Sequence, residues 1–159
     1  GGWWLWDSQQ KPADSGTPAK GTTLTCSVKS VYDGDTMNLN CPKYGVVKVR
    51  VWGIDAPEMA QDPWGERARD ALRRLAQGEV KLTVVDVDRY GRVVGRIFVG
   101  SKELGLEQVQ KGYVNIYSHY NKEAAYYRAR EQAQQKKLGI WAKAGLHQTP
   151  WEWRKQNRS

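Results

Sequence analysis

A chain of 159 residues with a net charge of +8 and a sequence pI near 9.5 has the length of one domain with a real core. The charge favours a polyanionic partner, with a plain basic surface as the alternative. No apolar run approaches the roughly 18 residues that cross a bilayer, and two cysteines with two distant histidines, His119 and His147, do not make a zinc centre.

Gly1-Gly2-Trp3-Trp4-Leu5-Trp6 is too short for a signal peptide and lacks a basic flank. Its tryptophans suit a membrane interface or a packing arm, and an export or anchor segment upstream of Gly1 is one expectation. Pro12, Gly16, Pro18 and Gly21 mark residues 7–21 as a linker, so residues 1–21 form a tryptophan-rich segment and linker. Residues 22–145 then carry the domain, and residues 146–159 a basic, aromatic tail, either an ordered arm or a frayed end.

Thr22–Tyr32 is rich in β-branched residues and predicts a strand, Asp33-Gly34 a turn, and Thr36–Cys41 the returning strand. Cys26 and Cys41 flank that turn symmetrically, so a hairpin sets them face to face, as a disulfide or as two buried thiols. A disulfide implies an oxidising, extracytoplasmic compartment. Pro42–Gly45 turns the chain into Val46–Gly53, where Val47, Val49 and Val51 alternate with polar neighbours. The period then changes. Ala68, Ala71, Leu72 and Leu75 lie at helical spacing between Pro63 and Gln77, and Gly78 stops that helix. Val80–Val85 and Arg92–Val99 read as strands around the turn Asp88–Gly91. Helices are predicted over Lys102–Lys111 and Lys122–Lys137, the second with Ala125, Tyr126, Ala129 and Ala133 inward. This order, five strands with a helix between the third and fourth and two helices after the fifth, predicts an α+β fold: a five-stranded OB-type barrel with three helices.

Three segments carry chemistry. Arg50, Asp55 and Glu58 lie along the third strand and the bend that Pro57 imposes. Asp33-Gly34-Asp35-Thr36 precedes them, and Asp88-Arg89-Tyr90-Gly91-Arg92 follows. In this order the three motifs resemble the staphylococcal nuclease family, over about Thr22–Ala142. The resemblance implies a calcium-dependent phosphodiesterase that acts on DNA and RNA with little sequence specificity, prefers single-stranded or locally open duplex and leaves 3′-phosphate ends; no obligate protein partner is inferred. It puts calcium on Asp35, Asp55 and the carbonyl of Ala56, the scissile phosphate on Arg50 and Arg92, and the general base or water-positioning role on Glu58. Arg89, Tyr90 and Tyr120 become substrate contacts. Asp33 is either a partner behind the metal ligands or a turn former.

The chemistry of these residue types agrees. Calcium takes about 6–8 oxygen ligands, more than two carboxylates and a carbonyl provide, so water and phosphate must complete its shell. A guanidinium fork matches two oxygens of a phosphoryl group. Two departures stand out: Ala56 replaces the family's usual threonine, and Met59–Pro63 is shorter than the lysine-rich loop of the best-known member. The competing readings are a noncatalytic OB-type nucleic-acid-binding module and a scaffold that uses its tryptophan-rich ends.

Overall fold

The computed structural model describes residues 16–158; the expectations for residues 1–15 fall outside them. The β-branched runs form β1 (Thr23–Asp33), β2 (Thr36–Cys41), β3 (Gly45–Val51), a short β4 (Ile54–Asp55), β5 (Glu79–Val87) and β6 (Val93–Val99). The first sheet runs β3-β2-β1-β5-β6, and parallel pairing of β3 with β6 through Arg50↔Val94 closes it into a five-stranded barrel. Closure brings the third strand beside the segment that follows Arg92. The predicted alternation along β3 holds, with Val47, Val49 and Val51 buried among Met37, Leu39, Leu82, Val93 and Ile97.

Four α-helices, one more than the sequence predicts, stand among the described residues: α1 (Trp64–Leu75), α2 (Leu104–Gln110), α3 (Ala124–Gln135) and α4 (Pro150–Gln156). Helix α1 buries Ala68, Ala71 and Leu72 as expected. Helix α2 starts later than its pattern suggests because Lys102–Glu103 pairs with β6 as β7. Helix α3 buries Tyr126, Ala129 and Ala133, whereas Ala125 is exposed and leaves the predicted inward face. Arg96 joins the outer elements. Its Nε and Nη2 donate to Glu103 at 2.9 and 2.7 Å, its Nη1 donates to Glu123 at 2.8 Å, and its guanidinium lies over the Trp52 ring.

Cys26 and Cys41 form a disulfide, with their Cα atoms 4.5 Å apart. The ladder is less regular than a symmetric hairpin. Asp33 pairs with Thr36, so the loop is Gly34-Asp35, one residue later than predicted, and β1 shifts register between Val28 and Ser30 and again between Val31 and Asp33. Lys29 and Tyr32 are the extra residues. The two shifts restore Ser27↔Asn40, which puts the cysteines opposite one another.

Residues 146–158 of the tail are ordered. His147 is buried, stacks on Trp64 of α1 at 4.2 Å, and shares a hydrogen bond of 3.0 Å with the carbonyl of Ile140. A second short strand, β8 (Asn115–Ile116), pairs with β4, and Asn115 Nδ2 donates to the Gln148 carbonyl at 2.7 Å. These contacts deliver α4 to the mouth of the barrel beside Asp55.

Candidate functional site

The acidic side of the site is built by the β1–β2 turn and the bend after β3. Asp33 is buried, and its Oδ1 accepts the Asp35 N–H at 3.0 Å, which fixes the turn. Asp35 is buried in turn. Its Oδ2 accepts the N–H of Ala56 at 2.9 Å, and its Oδ1 accepts the Thr36 hydroxyl at 3.1 Å. The turn and the bend, 21 residues apart in sequence, are therefore joined by a direct hydrogen bond. Asp55 is fully buried, held in the two-residue ladder of β4 with β8. Two glycines allow these approaches. A Cβ on Gly34 would stand 2.5 Å from that of Ala68 and 2.8 Å from that of Ala56, and one on Gly65 would overlap the Glu58 carbonyl and Met59 Cα.

Arg50 faces both acids, its Nη2 lying 3.9 Å from Asp35 Oδ2 and 3.9 Å from Asp55 Oδ1. At 3.9 Å from Asp35, which also has the Asp33 carboxylate beside it, Arg50 offsets only part of the negative potential there. Burial, then the neighbouring Asp33 carboxylate, pushes Asp35 up to about 7, against the pull of Arg50. Burial likewise raises Asp55, while hydrogen bonds from Arg154 oppose the rise.

On the other side, Arg50 and Arg92 line one cavity of about 240 Å³ with Tyr32, Thr36, Lys48 and Asp88. Arg92 is exposed and its Nε donates to Asp88 Oδ2 at 2.6 Å. Asp88 Oδ1 also accepts the backbone N–H groups of Tyr90 and Arg92, so the turn is closed by its own first residue. Tyr90 is exposed on this turn, with the guanidiniums of Arg89 and Arg92 5.1 and 5.6 Å from its ring centroid. Tyr120 stacks on Tyr117 at 5.5 Å, and Arg50 lies 5.2 Å over the Tyr117 ring.

Apart from Tyr120, which lies on Tyr117, the sequence-predicted residues separate into two groups around Arg50. Asp33, Asp35, Asp55, Ala56 and Glu58 lie on its acidic side, and Arg92, with Tyr90 and Arg89 on the turn before it, on its open side. One member was not foreseen. Arg154 of α4 donates from Nη1 to Asp55 Oδ1 at 3.0 Å and from Nη2 to Asp55 Oδ2 at 2.8 Å, and Nη1 also lies 3.4 Å from Glu58 Oε1. The signal for its helix was present, since Thr149-Pro150-Trp151-Glu152 is a helix-start pattern. Nothing local states where that helix docks.

The residue types suit a hard cation: two buried carboxylates, Asp35 and Asp55, present oxygen donors. Among the described residues no three His, Cys, Asp or Glu side chains gather as a ligand set.

The staphylococcal nuclease homologue family matches residues 48–143, more than half of the chain. The chain belongs to this family. Within it, the chain is 33% identical to the micrococcal nuclease of Shigella flexneri over 83% of its own length and 81% of that protein. It is 33% identical to an uncharacterized endonuclease of Haemophilus influenzae, over 84% of its own length and 75% of that protein. A probable staphylococcal-like nuclease of Oryza sativa is 39% identical over 70% of this chain. The chain spans only 34% of the rice protein and 34% of its Arabidopsis thaliana counterpart. The staphylococcal nuclease homologue match covers Arg50, Asp55, Glu58 and Arg92 but neither Asp35 nor Arg154.

Proposed function

We propose that the protein is a phosphodiesterase that hydrolyses DNA and RNA with a calcium ion, and that it leaves 3′-phosphate ends. The observation that carries the proposal is Arg50. It stands between two buried carboxylates and a cavity that it shares with Arg92.

Asp35, Asp55 and the Ala56 carbonyl would hold the ion. When bound, calcium supplies Lewis-acid charge to a phosphate oxygen and helps orient the attacking water. The two guanidiniums bind the phosphate oxygens on the open side, where the equatorial charge of the transition state develops. Glu58 follows Pro57 on the rigid bend and accepts the proton of the water as its oxygen bonds to phosphorus. The P–O5′ bond breaks, O5′ takes up a proton from solvent, and the phosphate stays on the 3′ side. Tyr120, exposed and stacked on Tyr117 beside Arg50, offers a face to a base, a contact typically worth about 1–3 kcal/mol. Asp33 supports the site by holding the backbone of Asp35.

The Cys26–Cys41 disulfide favours an oxidising, extracytoplasmic compartment. Among the described residues no helix is long and apolar enough to cross a membrane.

A noncatalytic nucleic-acid-binding module is the second reading, favoured by the +8 charge and by the hold of Arg154 on Asp55. Incubation with plasmid and with single-stranded DNA, in calcium or in chelator, separates the two. Calcium-dependent cleavage to fragments whose 5′ ends accept label from a kinase without prior phosphatase treatment supports the proposal. Intact but retarded DNA in calcium leaves the binder.

A further inference from the structure

Arg154 has no part in the chemistry proposed above, yet it makes the shortest side-chain bonds to Asp55. Both Asp55 oxygens are engaged by its fork, and the same guanidinium reaches Glu58. It arrives from a helix 99 residues further along the chain, brought there by the His147–Trp64 stack and the Asn115–Gln148 bond. The Asp55 side chain is 1% exposed and that of Arg154 34%. A buried carboxylate without a counter-charge is costly, and Arg50, at 3.9 Å and shared with Asp35, is a weak one.

We propose that Arg154 is a positioning residue that aims Asp55 and Glu58 and, by sharing Asp55 with the divalent cation, sets how tightly the site binds that cation. The inference rests on the cation-assisted reading given above. A cation that takes an Asp55 oxygen meets a carboxylate already bonded to a guanidinium, and adds its two charges to that of Arg154 at short range. Each unit of positive charge held there weakens the binding of the next. The fork also fixes the plane of Asp55 and draws Glu58 toward it, so its removal tightens cation binding while loosening the proton acceptor. Charge and geometry are therefore separable by substitution.

The test compares Arg154→Gln and Arg154→Lys with the unaltered protein. Calcium affinity is read by titration calorimetry without nucleic acid, thermal unfolding with and without chelator, and kcat separately from KM. In R154Q, calcium Kd falls about tenfold or more, since a full charge has gone from beside the site. Its Tm in chelator drops by roughly 5–10 °C, because Asp55 has lost its main partner, and calcium restores more of the Tm than it adds to the unaltered protein. At saturating calcium its kcat falls and its KM stays near the original. R154K keeps the charge and loses the fork, so its calcium Kd stays near the original while kcat falls. Calcium Kd unchanged or weaker in R154Q overturns the inference and leaves the hydrolytic reading standing. If neither the unaltered protein nor R154Q takes up calcium and the unaltered protein leaves DNA intact in calcium, both fall together. Should R154Q not fold in chelator, R154K decides: a tighter calcium Kd with the charge retained overturns the inference.

Discussion

Asp35→Asn separates the charge of the candidate site from its shape. The amide keeps the size of the carboxyl and an oxygen to accept the Ala56 N–H, but it cannot ionise. Raising Asp35 from an ordinary 3.8 to about 7 corresponds to roughly 4 kcal/mol of folding free energy. Below about pH 4 the group is protonated in both folded and unfolded chains and costs nothing. Between about pH 4 and 7 the unfolded chain releases its proton while the folded one retains it, so stability falls as pH rises. Above about 7 the whole cost is present. Relaxation and solvent around the turn reduce the figure, and the expected gain of D35N is about 2–4 kcal/mol at pH 8 and about zero at pH 4. Asp55, raised by burial, makes the unaltered protein decline in the same direction, so the measured quantity is the difference between the two proteins. Urea unfolding in chelator at steps between pH 4 and 8 reads it. A difference that is the same at both ends of the range refutes the reasoning, because it would mean that the substitution acts through packing.

Three further outcomes are expected. Arg92→Lys keeps a charge at the cavity but loses the fork, and kcat falls on the order of 10²–10³-fold; turnover within about tenfold of the original counts against the phosphate-binding role. Replacing Cys26 and Cys41 by serine opens a link across 15 residues and costs about 3 kcal/mol, seen as a Tm lower by roughly 6–12 °C; an unchanged Tm shows that the bond does not constrain the unfolded chain. Gly65→Ala forces a methyl into the backbone of Glu58 and Met59. It lowers stability by about 1–3 kcal/mol and activity by about tenfold or more, since the bend that aims Glu58 must move; an alanine variant with normal turnover shows that the bend does not set the Glu58 position.

The barrel was legible because each of its long strands carries its own pattern: the valines of β3 alternate, and Asp33-Gly34 and Gly78 punctuate where the chain turns or stops. The elements that escaped are too short to have a period. Lys102–Glu103 and Ile54–Asp55 pair over two residues each, and such pairing is decided by what the rest of the fold brings alongside. The bulges at Lys29 and Tyr32 leave no mark in composition. They also correct the reason for the disulfide: the symmetry about Asp33-Gly34 pointed to the right pair, but the turn lies one residue later and the bulges make up the difference. Ala125 failed because alanine at helical spacing reads the same on an inner and an outer face. In the candidate site, the nearness of Asp35, Arg50, Asp55 and Glu58 to one another was legible because a turn and one strand with its bend carry them all. Arg154 was not, since its role depends on the docking of a helix held by His147 and Gln148 against distant partners.

The bridge between Cys26 and Cys41 and the Gly34-Asp35 loop stand at opposite ends of one two-stranded ribbon. With both ends fixed, neither strand can slide past the other by a single residue, a slip that in a pleated pair turns every side chain to the opposite face. The surplus residues at Lys29 and Tyr32 are slack that the ribbon would otherwise shed by such a slip, carrying Asp33 and Asp35 out of the interior. The sulfur link therefore does more than add stability: it keeps count along the strand, so that the acids at the far end of the ribbon project inward.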